Sequence, residues 1–241
     1  MDARAMAPFG QALRDYIDGA ADAACRVRRD DGHVSDLAVA PFFRGPADFS
    51  HIERRALALC RGRILDVGAG AGCHSLVLQT RGAEVLAIDV CPAAIAILAA
   101  RGVRQVRQTD VFELRDGTFD TLLLLMHGIG LVQTLAGLDR FLQQAQQLVA
   151  PGGQILADSL DVRATTEPVH LAYQAANRAA GRFIGEIRMR FEYKGLIGPL
   201  YGWLHVEAGT LAAHAQRAGW RCEVEAQGAD GDYLARLTRA A

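Results

Sequence analysis

The sequence contains one lysine, little net charge and no cysteines spaced as metal ligands. Lys194 is the single lysine among 26 basic residues, and 27 acidic residues bring the formal net charge to −1. Proteins that bind nucleic acid usually carry a basic patch or a high isoelectric point. We therefore expect no nucleic-acid partner for this chain.

The cysteines are odd in number and scattered along the chain. They are Cys25, Cys60, Cys73, Cys91 and Cys222. This pattern argues against a disulfide framework and against a zinc site. We expect reduced thiols and no bound metal.

Signals for export or membrane insertion are also missing. The stretch MDARAMAPFG has no basic start followed by an apolar core, so we expect no signal peptide. The uncharged run at 121–138 is interrupted by glycines and by His127, which favours a buried strand and a loop over a membrane span. We predict a cytoplasmic protein with no membrane partner.

The sequence pattern of the first 62 residues predicts helices. Apolar residues at helical spacing predict an amphipathic helix over 9–24. Ser50 and Glu53 form the pattern of a capping box, which starts a second helix that we expect to end near Gly62. We interpret residues 1–62 as an N-terminal helical cap.

From residue 63 the pattern alternates between strands and helices. The predicted strands are 63–67, 84–88, 103–108, 119–125 and 154–158, and the predicted helices are 73–81, 92–102 and 138–149. Apolar strands joined by helices indicate a parallel sheet with helices on both faces.

The C-terminal part departs from this alternation. Residues 162–206 form an insertion with a predicted strand at 187–193. A helix to residue 218 is followed by strands at 220–227 and 232–238, and so short a turn between two strands makes them antiparallel. We therefore predict one α/β domain over residues 1–241, with a Rossmann-like, seven-stranded, mostly parallel sheet and an antiparallel C-terminal hairpin. Its parts are the cap at 1–62, the core at 63–158, the insertion at 162–206, and the terminal helix and hairpin at 207–241.

The stretch ILDVGAGAGCHSL, residues 64–76, predicts a strand, a glycine-rich turn and a helix. Gly68, Gly70 and Gly72 allow a sharp turn and a close approach of a ligand to the backbone. Open parallel sheets bind their ligands at this position, beyond the carboxyl ends of the strands. The glycines alone are also compatible with a tight turn that holds nothing.

Carboxylates around the turn separate two classes of cofactor. The dinucleotide pattern G-x-G-x-x-G is not matched, because Cys73 occupies the third glycine position. Asp66 would repel a pyrophosphate and would suit an ammonium or sulfonium group. Asp89, after the second strand, can accept hydrogen bonds from ribose hydroxyls in either class. Asp110, after the third strand, can accept from an adenine amino group, with Val111 near the ring.

Five stretches in this order resemble the class I S-adenosylmethionine-dependent methyltransferases. They are DVGAGAG, IDVCP, TDVF, FDTLLLLMH and LVAPGGQIL, within residues 63–158. The resemblance implies that family's strand order and S-adenosyl-L-methionine as cofactor. It implies a methionine end bordered by Asp66, Gly68, Ala69 and Gly70, a ribose held by Asp89, an adenine held by Val90, Asp110 and Val111, and a sulfonium methyl beside Met126 and His127. Cys91 stands where serine is more usual in the family, and His74 is either solvent-exposed or near the cofactor.

Methyl transfer is an in-line displacement that needs alignment and little water. Some nucleophiles also need a base. His127 is the first catalytic candidate because its ordinary pKa suits a base near neutrality. The alternatives are a histidine satisfied in a loop and one that shapes the pocket without proton transfer. His205 is the second candidate, and Tyr201 and Trp203 either line a substrate pocket or only pack.

Two segments are candidates for contact with a substrate. The insertion usually carries specificity in this family, and its arginines would suit an acidic group, although a solvated face paired with Glu167, Glu186 and Glu192 is the favoured interpretation. These arginines are Arg163, Arg178, Arg182, Arg188 and Arg190. The segment PFFRG, 41–45, is either a lid with Phe42 or Phe43 on the methionine side or an anchor for the first helix.

The sequence thus predicts an S-adenosylmethionine-dependent methyltransferase that acts on a small-molecule acceptor. No N-P-P-Y-type tetrapeptide, which marks amino-methylating nucleic-acid enzymes, follows the fourth strand; Met126 to Ile129 stand there. Two alternatives stay open. One is a non-catalytic protein that binds the cofactor on the same fold. The other, disfavoured by Asp66, Cys73 and Asp110, is a nicotinamide-dependent oxidoreductase.

Overall fold

The computed structural model describes residues 2–115 and 117–239. Within these ranges the α-helices are α1 (Ala7–Ile17), α2 (His51–Leu59), α3 (Cys73–Thr80), α4 (Pro92–Ala100), α5 (Leu135–Leu148), α6 (Pro168–Ala179) and α7 (Ala208–Arg217). The strands are β1 (Ala24–Arg29), β2 (Val34–Ala38), β3 (Arg63–Val67), β4 (Glu84–Asp89), β5 (Gln105–Gln108), β6 (Phe119–Leu124), β7 (Val149–Leu160), β8 (Glu186–Tyr193), β9 (Leu196–Ile197), β10 (Tyr201–Leu204), β11 (Trp220–Gln227) and β12 (Asp232–Arg239).

The larger sheet has seven strands in the order β11-β12-β7-β6-β3-β4-β5. The pairs β4–β5 and β6–β7 are parallel, whereas β12 is antiparallel to both β7 and β11. The predicted fold class is confirmed, including the antiparallel hairpin at the C-terminal end. The smaller sheet has the order β10-β8-β1-β2, with β9 paired to β8.

The contacts within the chain divide it into two compact units. The first unit contains residues 1–49, 65–114 and 188–201, and the second contains 50–64, 115–187 and 202–241. The single domain over residues 1–241 stays a prediction. In the part of the chain described, no helix combines the length and hydropathy that a membrane span requires.

The predicted helix over 9–24 is wrong beyond Ile17. Gly19, at φ +108°, follows the end of α1, and the chain then enters the β1–β2 hairpin, in which Ala24 is paired with Ala38. Alanines fit helical spacing, but β1 gains partners on both edges, from β2 and from β8. Residues 1–62 therefore contain strands and are not a purely helical cap.

The capping box of α2 is confirmed. The Ser50 hydroxyl accepts from the Glu53 N–H, and the Glu53 carboxylate accepts from the Ser50 N–H. The helix ends at Leu59, before the expected end near Gly62.

Strand and helix bounds in the core agree with the pattern at most positions. β3 covers the predicted residues, and β4 to β6 differ by one or two positions. β7 is longer than predicted, because it runs through Pro151 to Gly153 as an irregular stretch with a register shift opposite Phe119 and Thr121. Helix α5 begins three residues early, since Thr134 caps it by accepting from the Gly137 N–H.

Helix α6 lies inside the insertion, where only one strand was predicted. Its buried residues are Tyr173, Gln174 and Asn177. Two of these three are polar, so the helix lacks the apolar stripe by which sequence patterns are recognised.

Candidate functional site

The turn between β3 and α3 is built from glycines with positive φ. Gly68, Gly70 and Gly72 have φ of +71°, +56° and +84°, a region that favours glycine. The N–H groups of Gly68 and Ala69 both donate to the Ile88 carbonyl, at 2.9 and 3.0 Å. The turn is therefore tied to the end of the neighbouring strand β4.

The third glycine of the turn has a packing role. A Cβ on Gly72 would lie 2.6 Å from the Leu98 Cδ2 of α4, so a side chain there would force the leucine to shift. Gly70 is different, because a Cβ there would meet one ring atom of Phe42 at 3.5 Å, an ordinary contact distance. The space beside Gly70 is therefore bounded by the Phe42 ring.

Asp89 ends β4 and organises the turn. Its Oδ2 accepts from the Gly70 N–H at 2.9 Å, and its Oδ1 accepts from the Cys91 N–H at 2.8 Å. Burial raises the pKa of this carboxyl, and the two N–H donors oppose the rise. Each oxygen of an ionised carboxylate can accept more than one hydrogen bond. Asp89 thus retains acceptor capacity for hydroxyl groups.

Asp66 is buried inside the end of β3. It accepts a hydrogen bond from the Ser75 hydroxyl at 2.5 Å. Burial raises the pKa of Asp66, while the charge of His74 and the Ser75 hydrogen bond lower it. His74 is itself buried, with its ring centroid 5.1 Å from that of Phe49. The interpretation of His74 as a solvent-exposed residue is therefore wrong.

The third carboxylate, Asp110, follows β5. Its Oδ1 accepts from the Phe112 N–H at 3.0 Å, and the adjacent Val111 is buried. The Thr109 N–H donates to the Asp89 carbonyl at 3.1 Å, so this segment is joined to the end of β4. Val90 is half-buried, and its carbonyl accepts from the Gln108 side chain at 3.4 Å. The first unit thus contains all predicted cofactor residues except Met126.

Cys91 precedes α4 and makes no side-chain capping bond. Its thiol is buried and points to the Met6 carbonyl at 3.7 Å. A Cβ on Gly10 would lie 2.6 Å from the Cys91 sulfur, so α1 packs directly on this residue.

The two phenylalanines of PFFRG differ in their surroundings. Phe42 lies beside Gly70 and meets Phe9 edge-on, with ring centroids 5.0 Å apart. Phe43 stacks on Tyr16 at 4.6 Å and lies under the Arg101 guanidinium. Phe42 is thus the ring next to the glycine turn, and Phe43 anchors α1.

In the second unit, the loop after β6 has an unusual backbone. Met126 and His127 both lie at positive φ, +60° and +58°, a conformation that non-glycine residues rarely adopt. The next residue, Gly128, donates its N–H to the Asp158 carboxylate at 3.3 Å. Consecutive strained residues persist only where the surrounding structure holds them, and they concentrate at functional sites.

His127 and His205, the two predicted catalytic candidates, lie together. Their ring centroids are 5.4 Å apart and the rings meet edge to face at 80°. His127 Nε2 is 2.9 Å from Asp232 Oδ1. Sequence reasoning missed Asp232, because the residue begins β12 and its position follows only from the pairing of that strand.

The two imidazoles have opposite pKa shifts. Burial alone would lower the pKa of His127, but the Asp232 hydrogen bond and the charge of Asp158 outweigh it and raise the pKa above 6.5. Burial, and then the neighbouring charge of His127, lower the pKa of His205 to about 3. The pKa of Asp232 is lowered by its bond to His127. An imidazole with a raised pKa thus stands beside one with a lowered pKa.

The aromatic candidates near His205 belong to different units. In the second unit, Trp203 covers Gly130 so closely that a Cβ on that glycine would lie 2.1 Å from the indole nitrogen. In the first unit, the Tyr201 ring lies 5.5 Å from that of Phe191, and its hydroxyl is buried with no partner in the described chain. Burial raises the pKa of Tyr201 well above 10.

Most arginines of the insertion have partners within the chain. Arg163 pairs with Asp161 at 2.7 Å, Arg182 donates to Asn177 at 2.9 Å, Arg188 lies 3.8 Å from Asp30, and Arg190 pairs with Glu192 at 2.8 Å. These contacts support the favoured interpretation of a paired face, although most of the partners are not the glutamates expected.

Comparison with known proteins supplies the family. The profile of a family described as "Methyltransferase domain" matches residues 65–157. The solved structure of a SAM-dependent methyltransferase from Bacteroides fragilis, in complex with S-adenosyl-L-homocysteine, is 36% identical. It superposes with a TM-score of 0.87, and the match covers 100% of this chain and 98% of that one.

More distant matches agree on the fold. A ubiquinone biosynthesis O-methyltransferase of Azorhizobium caulinodans is 32% identical over 120 residues, which are 47% of this chain and 46% of that protein. The chain thus spans about half the length of the curated relatives it matches. The CcbJ methyltransferase of Streptomyces caelestis, at 14% identity and a TM-score of 0.63 over 84% of this chain and 95% of its own, shares the fold alone.

Proposed function

The chain belongs to the S-adenosylmethionine-dependent methyltransferases, and on this premise we propose that it transfers the cofactor's methyl group to a hydroxyl of a small molecule. The observation that carries the proposal is the arrangement of Asp66, Asp89 and Asp110 at the ends of three strands of the first unit. The names of the O-methyltransferase relatives support an oxygen acceptor.

The residues of the first unit fit this cofactor. Asp89 has acceptor capacity for ribose hydroxyls, and Asp110 stands beside the buried Val111, as an adenine site requires. The carboxylate of Asp66 disfavours a pyrophosphate and favours a cationic ligand. Gly68, Ala69 and Gly70 would border the methionine end, Val90 the adenine, and Met126 the methyl group. When bound, S-adenosylmethionine supplies a methyl group activated by its sulfonium charge.

In the proposed mechanism His127 is the general base. Asp232 accepts a hydrogen bond from the Nε2–H group and thereby favours the tautomer in which Nδ1 carries the lone pair. Nδ1 would accept the proton that the acceptor hydroxyl loses as the methyl group leaves the sulfonium sulfur for the acceptor oxygen, and Asp232 would stabilise the imidazolium formed. Such proton transfer contributes about 10²–10⁴-fold to a rate.

Cofactor binding is the first test. Calorimetric titration of the purified protein should give micromolar affinity for S-adenosylhomocysteine and no binding of NADH. Asp89→Ala removes charge-assisted bonds worth about 1.5–3 kcal/mol each, so we expect the affinity to fall at least about 100-fold.

The matched control is Asp22→Ala, which removes an exposed carboxylate of the same unit and should leave the affinity unchanged. Circular dichroism of both variants checks that they fold. Full affinity in a folded Asp89→Ala protein would overturn the cofactor site, and binding of NADH instead would overturn the proposed function.

A further inference from the structure

His205 lies beside the proposed base, and its imidazole is incompletely satisfied. Its Nδ1 is buried and has no hydrogen-bond partner in the described part of the chain. The backbone is held in place, because the His205 N–H donates to the Gly185 carbonyl at 2.8 Å. The residue as a whole is half-buried, so part of it stays accessible.

The burial of Nδ1 determines where the proton of this ring lies. Orphaned buried N–H groups are rarer in proteins than orphaned buried acceptors. The neutral ring therefore carries its proton on Nε2, which becomes a hydrogen-bond donor. Burial lowers the pKa of His205 to about 3, so the ring is neutral near pH 7. His127, beside it, exposes a lone pair and not a proton, because its Nε2 is bonded to Asp232 and its Nδ1 is the basic nitrogen.

The distance between the rings defines what the pair can bind. Their centroids are 5.4 Å apart, about twice the length of one hydrogen bond of ~2.8 Å. Two adjacent oxygens of one small molecule, each within one hydrogen bond of its own ring, would match this separation. One oxygen meets a base, and the other meets a neutral donor.

We propose that His205 is an acceptor-binding residue that donates from Nε2 to a second hydroxyl of the acceptor, adjacent to the one that His127 deprotonates. This inference rests on the proposed function and adds the substrate class, which is a vicinal diol. A catechol and the diol of a saturated ring share this chemistry.

Neighbouring contacts fix the positions of the two imidazoles relative to each other. His205 and Trp203 are two residues apart, the spacing that places side chains on one side of an extended chain. His127 lies against His205, and Gly130, three residues after His127, lies under Trp203. The loop after β6 therefore contacts this segment at two points, which limits the movement of one imidazole relative to the other.

The test compares diols with their single-hydroxyl analogues on the full chain saturated with S-adenosylhomocysteine. The probes are catechol against phenol, and cis-1,2-cyclohexanediol against cyclohexanol, each titrated by calorimetry. In the wild-type protein at least one diol should bind about tenfold more tightly than its analogue, which corresponds to one hydrogen bond of about 1.4 kcal/mol. The pair that responds tells whether the ring is aromatic or saturated.

The variants assign this preference to His205. His205→Phe should abolish it, whereas His205→Gln should restore part of it, because the glutamine amide can donate from near the Nε2 position. His214→Gln removes another histidine of the second unit, one that is bonded to Asp139, and should change nothing. Affinity for S-adenosylhomocysteine should stay the same in every variant.

Two results would overturn the inference: the absence of any diol preference in the wild-type protein, or a full preference in His205→Phe. Failure of the wild-type protein to bind S-adenosylhomocysteine would instead overturn the proposed function, so the two failures are distinguishable. If His205→Phe does not fold, partial or lost preference in His205→Gln supports the inference and full preference contradicts it.

Discussion

At the scale of single residues, the loop after β6 shows how a strained backbone conformation is maintained. Met126 and His127 adopt left-handed conformations, and such residues cost about 1–3 kcal/mol each. The bond from His127 to Asp232 and the bond from the next residue, Gly128, to Asp158 hold the C-terminal side of this segment. The imidazole is therefore placed by contacts with residues distant in sequence and not by local preference.

Asp232 should control the protonation of His127. In Asp232→Asn the carboxylate charge that stabilises the imidazolium is gone, while burial still disfavours it. We expect the pKa of His127 to fall, which NMR titration of its ring proton measures directly. The rise of activity with pH that follows the deprotonation of His127 should move to lower pH.

The control for this measurement is Asp230→Asn, which neutralises an exposed carboxylate of the turn before β12. Its His127 pKa should equal that of the wild-type protein. An unchanged or higher pKa in Asp232→Asn would show that the contact does not set the protonation of His127.

At the scale of elements, helix α2 depends on its first turn. The helix has nine residues, and isolated helices of this length are marginal in water. Ser50→Ala removes the hydroxyl that accepts from the Glu53 N–H at 3.2 Å. We expect a loss of about 1 kcal/mol in the free energy of unfolding, measured by urea denaturation.

Ser50→Thr is the control, because threonine keeps a capping hydroxyl and should retain most of the stability. A loss in Ser50→Thr equal to that in Ser50→Ala would mean that the cap is not the cause. Helix α6 is the contrasting element, since the Gln174 and Asn177 amides hold it by donating to the carbonyls of Val162 and Glu186.

At the scale of the whole molecule, one buried histidine should make stability depend on pH. An unfolded histidine takes up its proton near pH 6.5, whereas His205 in the folded protein does so near pH 3. Between these values the unfolded state binds more protons, so stability falls as pH falls. His127 has a raised pKa and acts in the other direction, because the stability it contributes is lost as pH rises through that value.

Urea unfolding at pH 6.0 and pH 4.5 measures this effect in the wild-type protein and in His205→Gln. One proton changes stability by about 1.4 kcal/mol per pH unit, so the variant should lose about 2 kcal/mol less than the wild-type protein over this interval. Equal losses in both proteins would contradict the low pKa of His205.

The sequence by itself determined the larger sheet and the positions of the cofactor candidates. Strands β3, β4, β6, β11 and β12 are continuous apolar runs or alternating segments, and turn residues bound them closely. The glycine turn, Asp89 and Asp110 follow strand ends, and the ends of parallel strands meet at one edge of a sheet. Local chemistry and chain order are enough for these features.

Tertiary structure alone decided the rest. β1 is a strand because it pairs with β2 on one edge and with β8 on the other, which outweighs the helical spacing of alanines in 18–24. Asp232 reaches His127 across 105 positions of sequence, and Phe42 rather than Phe43 reaches Gly70. Such contacts depend on which distant backbone supplies a partner, and hydrogen bonds between distant residues leave no periodic trace in the sequence.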